Sequence, residues 1–382
     1  MNRWSLWPWP FFDERHHALA ARIAAWECPV GHEVEEADMA DACRAIAKSL
    51  GEGGFFDAVV PHEGEAIDVR SVCLAREAIS YQSVLADNVI AMQGIGTGAL
   101  WMHGTAEQKA EYLDPVRRGE RIAAFALTEP LAGSDVASIT TTARKDGGDY
   151  VLDGGKTFIS NAPFADHYIV VARTGEAPGA RGLSAFIIDA GTRGMIAGEP
   201  IRLMAPHPLA PLTFENCRIP AGNLIGQPGK GFGIAMATFD IFRTSVGAAC
   251  IGMARRAMDE TLERMRERRL FGSVMAEIPG VQSKLADMSI DLDTAALAVY
   301  RAAWTKDTTG GRCTREVSIA KYAGTEAAGR IVDAAVQLFG GMGVTRGSVV
   351  EQLYREVRPA RLYEGASEVQ KLIIARNLIA GT

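Results

Sequence analysis

A chain of 382 residues, 48% hydrophobic and 23% charged, is long enough for two or three domains and too apolar to be disordered. Its 46 acidic and 40 basic residues leave a formal net charge of -6. That balance excludes a general attraction to nucleic acid or to an anionic membrane, so an anionic ligand needs a local basic pocket.

The six cysteines stand singly, without the close pairs of a zinc site or a redox motif, and read as small buried residues of a reducing compartment. No metal site is expected. The opening Met1-Asn-Arg-Trp-Ser-Leu-Trp-Pro-Trp-Pro10 is aromatic but has no continuous apolar core, and Asp13 and Glu14 follow at once. This argues against a targeting peptide. No uncharged apolar run reaches the roughly 18 residues of a membrane span, and a cytoplasmic location is expected.

Residues 1–119 read as a helical domain. Phe12, His16, Leu19, Ile23 and Trp26 recur at helical spacing, and Ala40 to Leu50 and Val72 to Ile79 carry similar stripes. Pro61 to Glu65 is a loop by its turn residues. The apolar, small-residue stretch Ile95 to Gly104 lets a helix or a ligand approach its backbone closely. Thr105, with Gln108 three residues on, has the form of a helix N-cap, and the helix is expected to end near Arg118.

From 120 to 228 the period becomes that of strands. Tyr150-Val-Leu and Lys156-Thr-Phe-Ile-Ser160 are expected as two strands joined by a tight turn at Asp153-Gly-Gly155. Further strands are expected at His167 to Arg173, Leu183 to Asp189 and Leu212 to Cys217. No helix-length pattern separates them, which predicts a compact antiparallel β domain.

Residues 229–382 turn helical again. Val281, Leu285, Met288, Leu292, Ala295 and Val299 mark a long bundle helix closed by the loop from Thr308 to Arg312. Helices are expected from Glu316 to Leu338, from Val349 to Val357 and from Val369 onward. The chain is therefore expected to be an α+β protein, with a helical domain at each end and a β domain between.

Glu364 stands in the turn that enters the last helix, next to Gly365. A carboxylate so placed can be presented to a buried ligand with its backbone N–H free, which suits a base. Most glutamates are solvated surface residues, so its neighbours must carry the case. The stretches Arg361-Leu-Tyr-Glu-Gly-Ala-Ser-Glu-Val-Gln370, Gln337-Leu-Phe-Gly-Gly-Met-Gly343 and Leu127-Thr-Glu-Pro-Leu-Ala-Gly-Ser-Asp135 together resemble the acyl-CoA dehydrogenase family of flavoproteins. The resemblance covers nearly all of the chain and is weakest over the first 60 residues. It implies a barrel-like antiparallel middle domain and a four-helix bundle at the C-terminus.

By residue-wise match, the resemblance implies FAD held by Leu127 and Thr128 at the pyrimidine edge, with Phe125 near the ring and Gly133 and Ser134 beside it; Ser134 is also placed near the thioester substrate. Lys156-Thr-Phe-Ile-Ser-Asn161 resembles the second flavin segment, in which Phe158 replaces a usual tryptophan and Ser160 a threonine near N5. Arg268-Arg-Leu-Phe-Gly272 resembles a segment whose Arg268 and Phe271 reach the cofactor of a neighbouring subunit, as Gln337, Gly340 and Gly341 are also implied to do. The resemblance further places Ala366 and Glu368 near the cofactor, and Asp240, Arg243, Tyr363 and Gly365 around the substrate. Glu364 is implied as the base, because Phe242 occupies the position on the Asp240–Arg243 helix where some relatives carry theirs.

Other departures are Pro279 for a frequent glutamine, Val344 for an aromatic residue, Glu356 for aspartate after Arg355, and Ala366 for a threonine. The last predicts one lost hydrogen bond to the flavin. The implied function is oxidation of a saturated acyl-CoA to the trans-2-enoyl-CoA, in fatty or other carboxylic acid degradation. An electron-transfer flavoprotein is the implied acceptor and a dimer of dimers the implied assembly. Two alternatives stay open: the same chemistry on a carrier-protein-bound thioester, and a flavin oxidase or monooxygenase on the same scaffold.

Overall fold

The computed structural model describes residues 3–31 and 34–381. Five α-helices come first: α1 (Glu14–Ala24), α2 (Met39–Glu52), α3 (Val69–Gln82), α4 (Val84–His103) and α5 (Ala106–Arg117). Eight strands follow: β1 (Ala123–Ala126), β2 (Thr142–Asp146), β3 (Asp149–Ser160), β4 (His167–Arg173), β5 (Leu183–Asp189), β6 (Met195–Ala197), β7 (Leu209–Pro220) and β8 (Leu224–Ile225). Then come α6 (Gly231–Glu267), a small hairpin of β9 (Arg269–Leu270) and β10 (Ser273–Val274), and the helices α7 (Pro279–Thr309), α8 (Thr314–Phe339), α9 (Val349–Val357) and α10 (Ser367–Ala380). The expected α+β class, helical at both ends with a central β region, is the one observed.

The contacts divide the chain into two compact units: Met1–Cys28 with Asp68–Asp87 and Asp240–Thr382, and Pro29–Ile67 with Asn88–Phe239. The second holds the eight-stranded sheet, in the order β6-β7-β3-β2-β4-β5-β8, with β1 added beside β4. Most neighbours are antiparallel as expected, but β1 runs parallel to β4, as does the one paired residue of β2, Thr142 opposite Arg173. A parallel pair needs a long connection, and the stretch between β1 and β4 contains the whole β2–β3 hairpin.

The expected turn at Asp153-Gly-Gly155 is not a turn. Strand β3 runs straight through it, with a register shift against β7 between Leu152 and Gly154. Gly154 has φ +139, and a Cβ there would lie 2.7 Å from the Thr141 Cα, so the glycine serves a bulge and a close backbone approach. The hairpin turn is at Gly147-Gly148, between Asp146 and Asp149.

In α4 the small residues serve close packing. A Cβ on Gly96 would meet the Ala123 Cβ at 2.6 Å, and one on Gly98 the Thr238 Cγ2 at 2.6 Å. The N-cap of α5 is a full capping box: Gln108 N–H donates to the Thr105 Oγ1 (3.2 Å) and Thr105 N–H to the Gln108 Oε1 (3.1 Å).

In the first unit α6 is pressed against α8 and α3 by glycine. The Cβ missing from Gly247 would lie 2.7 Å from the Ala320 carbonyl oxygen, and that missing from Gly252 would lie 2.1 Å from the Glu77 carbonyl oxygen. Among the described residues α6 alone is long and apolar enough for a membrane span, yet most of that stretch is buried within the protein, as for a core helix. The α7 stripe is buried from Met288 to Val299, while Val281 and Leu285 at its open end are half-buried. Gly310 caps α7 in the left-handed region, at φ +62.

Candidate active site

Glu364 lies in the turn between a single 3-10 turn (Arg358–Arg361) and α10, and its own backbone is left-handed, with φ +51. Gly365 follows at φ +91. A non-glycine residue in this region stores strain, which persists only where surrounding bonds over-determine it.

Those bonds are present. The Glu364 carbonyl accepts from Arg243 Nε at 3.2 Å, and the Gly365 carbonyl accepts from Lys321 Nζ at 2.9 Å and from Gln370 Nε2 at 2.9 Å. Glu326 on α8 ties both flanks, accepting from Arg361 Nε (2.8 Å) and from Ser367 Oγ (2.6 Å). Helices α6, α8 and α10 thus hold one turn. The Glu364 N–H takes part in none of the hydrogen bonds among the described residues.

The carboxyl itself is treated differently. Glu364 is half-buried as a residue, but its Oε2 is closed from solvent and has no hydrogen-bond partner among the described residues. Loss of hydration raises its pKa above the ordinary carboxylate range; Arg76, Lys321 and Arg243 oppose the rise and Asp87 reinforces it. Burial also lowers the Lys321 ammonium to about 8. Arg76 is fully buried, its fork paired with Asp87 through Nε and Nη2 at 2.8 Å each and its Nη1 donating to Ser245 Oγ at 3.0 Å. Burial alone would weaken that guanidinium's hold on its proton, and Asp87 more than restores it.

Asp240 and Arg243 are paired only loosely, at 3.6 Å, the arginine being engaged with the Glu364 carbonyl. Burial raises the Asp240 carboxyl, against the pull of Arg243. Phe242 is fully buried, so no titratable group stands at its position. Tyr363 is partly exposed beside the turn. Ala366 is the N-cap of α10 and makes no side-chain cap, while Glu368 lies exposed in the first turn. The departure at Arg355-Glu356 is absorbed within α9, where Arg355 pairs with Glu351 at 2.7 Å and Gln352 donates to Glu356 at 2.9 Å.

The second unit brings two of the predicted segments together. Thr157 N–H donates to the Thr128 carbonyl at 2.9 Å, and Lys156 Nζ reaches the Leu127 carbonyl at 3.0 Å and Glu129 Oε1 at 2.8 Å. Glu129 also receives Thr141 N–H at 2.9 Å, so a buried ion pair fastens the loop that carries Gly133 and Ser134. Phe125 and Leu127 are buried, the Phe125 ring edge-on to Phe239 at 5.5 Å. Gly133, Ser134 and Leu131 are exposed, and the Thr128 hydroxyl is half-buried with no hydrogen-bond partner among the described residues. Phe158 has φ +55 and is 56% exposed, an aromatic face offered by a distorted strand.

The remaining predicted residues form a separate exposed set in the first unit. Phe271 is fully exposed at the tip of the β9–β10 hairpin, with φ +51, and Arg268 beside it is exposed. Gln337 in the last turn of α8 and Gly340 and Gly341 just after it are exposed, and a Cβ at either glycine would meet nothing within 4 Å. Arg264 holds this turn through the Phe339 carbonyl, at 2.9 Å. No hydrogen bond among the described residues joins either segment to the Glu364 turn.

Arg76, Lys321, Glu326 and Gln370 are the members of the site that sequence reasoning missed. Each lies on a helix where a polar residue reads as surface; the one available signal is a charge within an apolar stripe, as at Arg76 between Ala75 and Ala78.

The residues present suit FAD. In the second unit the exposed Phe158 face and the hydroxyls at Thr128 and Ser134 suit a planar ring with polar edges, and in the first the open glycine turn and the exposed Arg268, taken by themselves, suit a diphosphate. Residues 14–120, 124–217 and 229–379 match the models for the N-terminal, middle and C-terminal domains of acyl-CoA dehydrogenase. The chain is 38% identical to the 3-(aryl)acrylate reductase of Clostridium sporogenes, over 97% of this chain and 100% of that protein. It is 36% identical to the caffeyl-CoA reductase-Etf complex subunit CarC of Acetobacterium woodii, over 91% and 92% respectively. The structure of butyryl-CoA dehydrogenase from Megasphaera elsdenii superposes with a TM-score of 0.82 at 29% identity, over 92% of this chain and 100% of that one. By extent of match and by identity, the chain belongs to the acyl-CoA dehydrogenase family, FAD-dependent oxidoreductases that act on CH–CH groups.

Proposed function

We propose that the protein oxidises a saturated acyl-CoA to the trans-2-enoyl-CoA, with Glu364 removing the α-proton. The observation that carries the reading is the buried, unpartnered Oε2 of Glu364, in a strained turn that three helices hold. A carboxylate stripped of water and left without a partner is a stronger base than one in solution, and better matched to a weakly acidic carbon. The carbon next to a thioester gives up its proton only if the carbonyl oxygen is stabilised as charge develops there. The uncommitted Glu364 N–H is the donor the chain offers for this. Lys321, Arg243 and Gln370 contribute indirectly, by locking the turn's carbonyls and so the direction of that N–H. FAD, when bound, supplies the acceptor for the β-hydrogen.

The residues that would hold FAD are Phe125, Leu127, Thr128, Gly133, Ser134, Phe158 and Ser160, while Arg268, Phe271, Gln337, Gly340 and Gly341 would reach the FAD of a neighbouring subunit. A homotetramer belongs to this reading, supported by the full exposure of Phe271 and the open surface at Gly340 and Gly341. An electron-transfer flavoprotein as acceptor is supported by the likeness to a subunit of an Etf complex. A cytoplasmic location completes the proposal.

The two reductases among the relatives favour a second reading, in which the same site works on a 2-enoyl thioester and a protonated Glu364 returns the proton. Anaerobic titration of the purified yellow protein with straight-chain, branched and aryl acyl-CoAs tests the oxidation. Loss of flavin absorbance with at least one is expected, and none with any of them, alongside reoxidation of the dithionite-reduced protein by an enoyl-CoA, would leave the reductive direction. A colourless protein that takes up no FAD would contradict both.

A further inference from the structure

His207 lies in the loop between β6 and β7, and its Nε2 is 2.8 Å from the Ser160 Oγ. The contact is built into the fold. Pro206 and Pro208 flank the histidine and stiffen its backbone. Asn161 N–H donates to the Pro208 carbonyl at 2.8 Å, so the residue after Ser160 is bonded to the residue after His207. Asn161 is itself left-handed, at φ +63, and its amide donates to the Ala123 carbonyl at 3.0 Å. Ser160 is thereby held in place by backbone on one side and by His207 on its hydroxyl.

The chemistry follows from counting hydrogens. A serine hydroxyl has one hydrogen to give, and the N5 of an oxidised isoalloxazine carries none, so a hydroxyl facing N5 must be the donor there. If His207 Nε2 accepted that hydrogen, nothing would remain for the ligand. If Nε2 carries a hydrogen and donates it to Oγ, the hydroxyl hydrogen is free, and it is a stronger donor for being polarised from behind. Burial lowers the imidazole pKa to about 4, so the ring is neutral at pH 7 and one tautomer must be chosen.

We propose that His207 is a positioning residue for the flavin, donating through Nε2–H to Ser160 so that the Ser160 hydroxyl presents its hydrogen to the N5 side of bound FAD. The inference rests on the reading above that Ser160 faces FAD. Once the ring is reduced N5 carries a hydrogen of its own, so a hydroxyl held as a donor suits the oxidised ring, and His207 holds bound FAD toward the oxidised form.

The test is the reduction equilibrium of bound FAD against a reference dye at pH 7, in purified holoenzyme, with thermal unfolding recorded in parallel. For His207→Phe the reduced-to-oxidised ratio at fixed poise is expected to rise about fivefold, the worth of one ordinary hydrogen bond. Ser160→Ala is expected to move it in the same direction, the double variant no further than the larger single effect, and His207→Gln, whose amide can donate, to restore most of it. If Ser160→Ala shifts the ratio and His207→Phe changes only the melting temperature, His207 is structural and the proposal is overturned. If Ser160→Ala leaves both the ratio and the flavin spectrum unchanged, the placing of Ser160 against FAD is what fails.

Discussion

Glu77 and Glu364 are both shielded carboxylates of the first unit, and they differ in what their oxygens are given. Glu77 Oε1 accepts from Trp4 Nε1 (3.0 Å), Trp7 Nε1 (3.1 Å) and Arg255 Nη1 (2.6 Å), and its Oε2 accepts from the Tyr300 hydroxyl (2.6 Å). Arg255 also lies 4.5 Å from the Trp7 ring centroid, and Trp7 stacks on Trp9 at 4.4 Å. The tryptophan-rich start is thus latched across α3, α6 and α7 by one carboxylate. Glu364 Oε2 receives nothing. A buried acid whose lone pairs are all taken belongs to the fold, whereas one left without donors keeps its basicity for a ligand.

The largest effect that would sharpen this contrast is on Glu77. Replacing it with alanine leaves Arg255, Tyr300 and two indole N–H groups without their acceptor, and is expected to cost about 3–5 kcal/mol, read by denaturant unfolding. Gly365→Ala comes next. Its backbone would keep φ +91 with a Cβ 2.4 Å from Gln370 Nε2, so roughly 1–3 kcal/mol of strain is expected, with a slower flavin reduction because the Glu364 turn must shift. Ala366→Thr should act the other way. It gives α10 the side-chain cap it lacks and should add about 1 kcal/mol of stability, seen as a higher melting temperature.

The smallest effect is on stability against pH. Because burial raises the folded-state pKa of Glu364 above its unfolded value, its contribution is full below the unfolded pKa and is lost as pH rises through the folded one. Glu364→Gln should therefore gain on the wild type in that interval, in unfolding measured across pH. The same shift places the acid limb of flavin reduction above the ordinary glutamate value of about 4.3, with the rate rising as pH increases through it.

The sequence showed the periodic helices, the Thr105 cap and the Glu364–Gly365 turn because each is encoded within a few consecutive residues. Asp153-Gly-Gly155 misled because glycines in a bulge and in a hairpin turn look alike along the chain, and only the neighbouring Thr141 backbone tells them apart. Lys321 is paired with the Gly365 carbonyl 44 positions away and Arg76 with Ser245 at 169, distances no local pattern encodes. The aromatic character of the N-terminus is plain along the chain, but not its dependence on Glu77, 73 residues from Trp4.

The central claim is that Glu364, and no other group, takes the proton. Rapid anaerobic mixing of FAD-loaded Glu364→Gln protein with an acyl-CoA that bleaches the wild type tests it most directly. The variant is expected to bind both ligands, shown by a perturbed flavin spectrum, while reduction slows by about 10²–10⁴-fold or more. Bleaching at the wild-type rate would contradict the account.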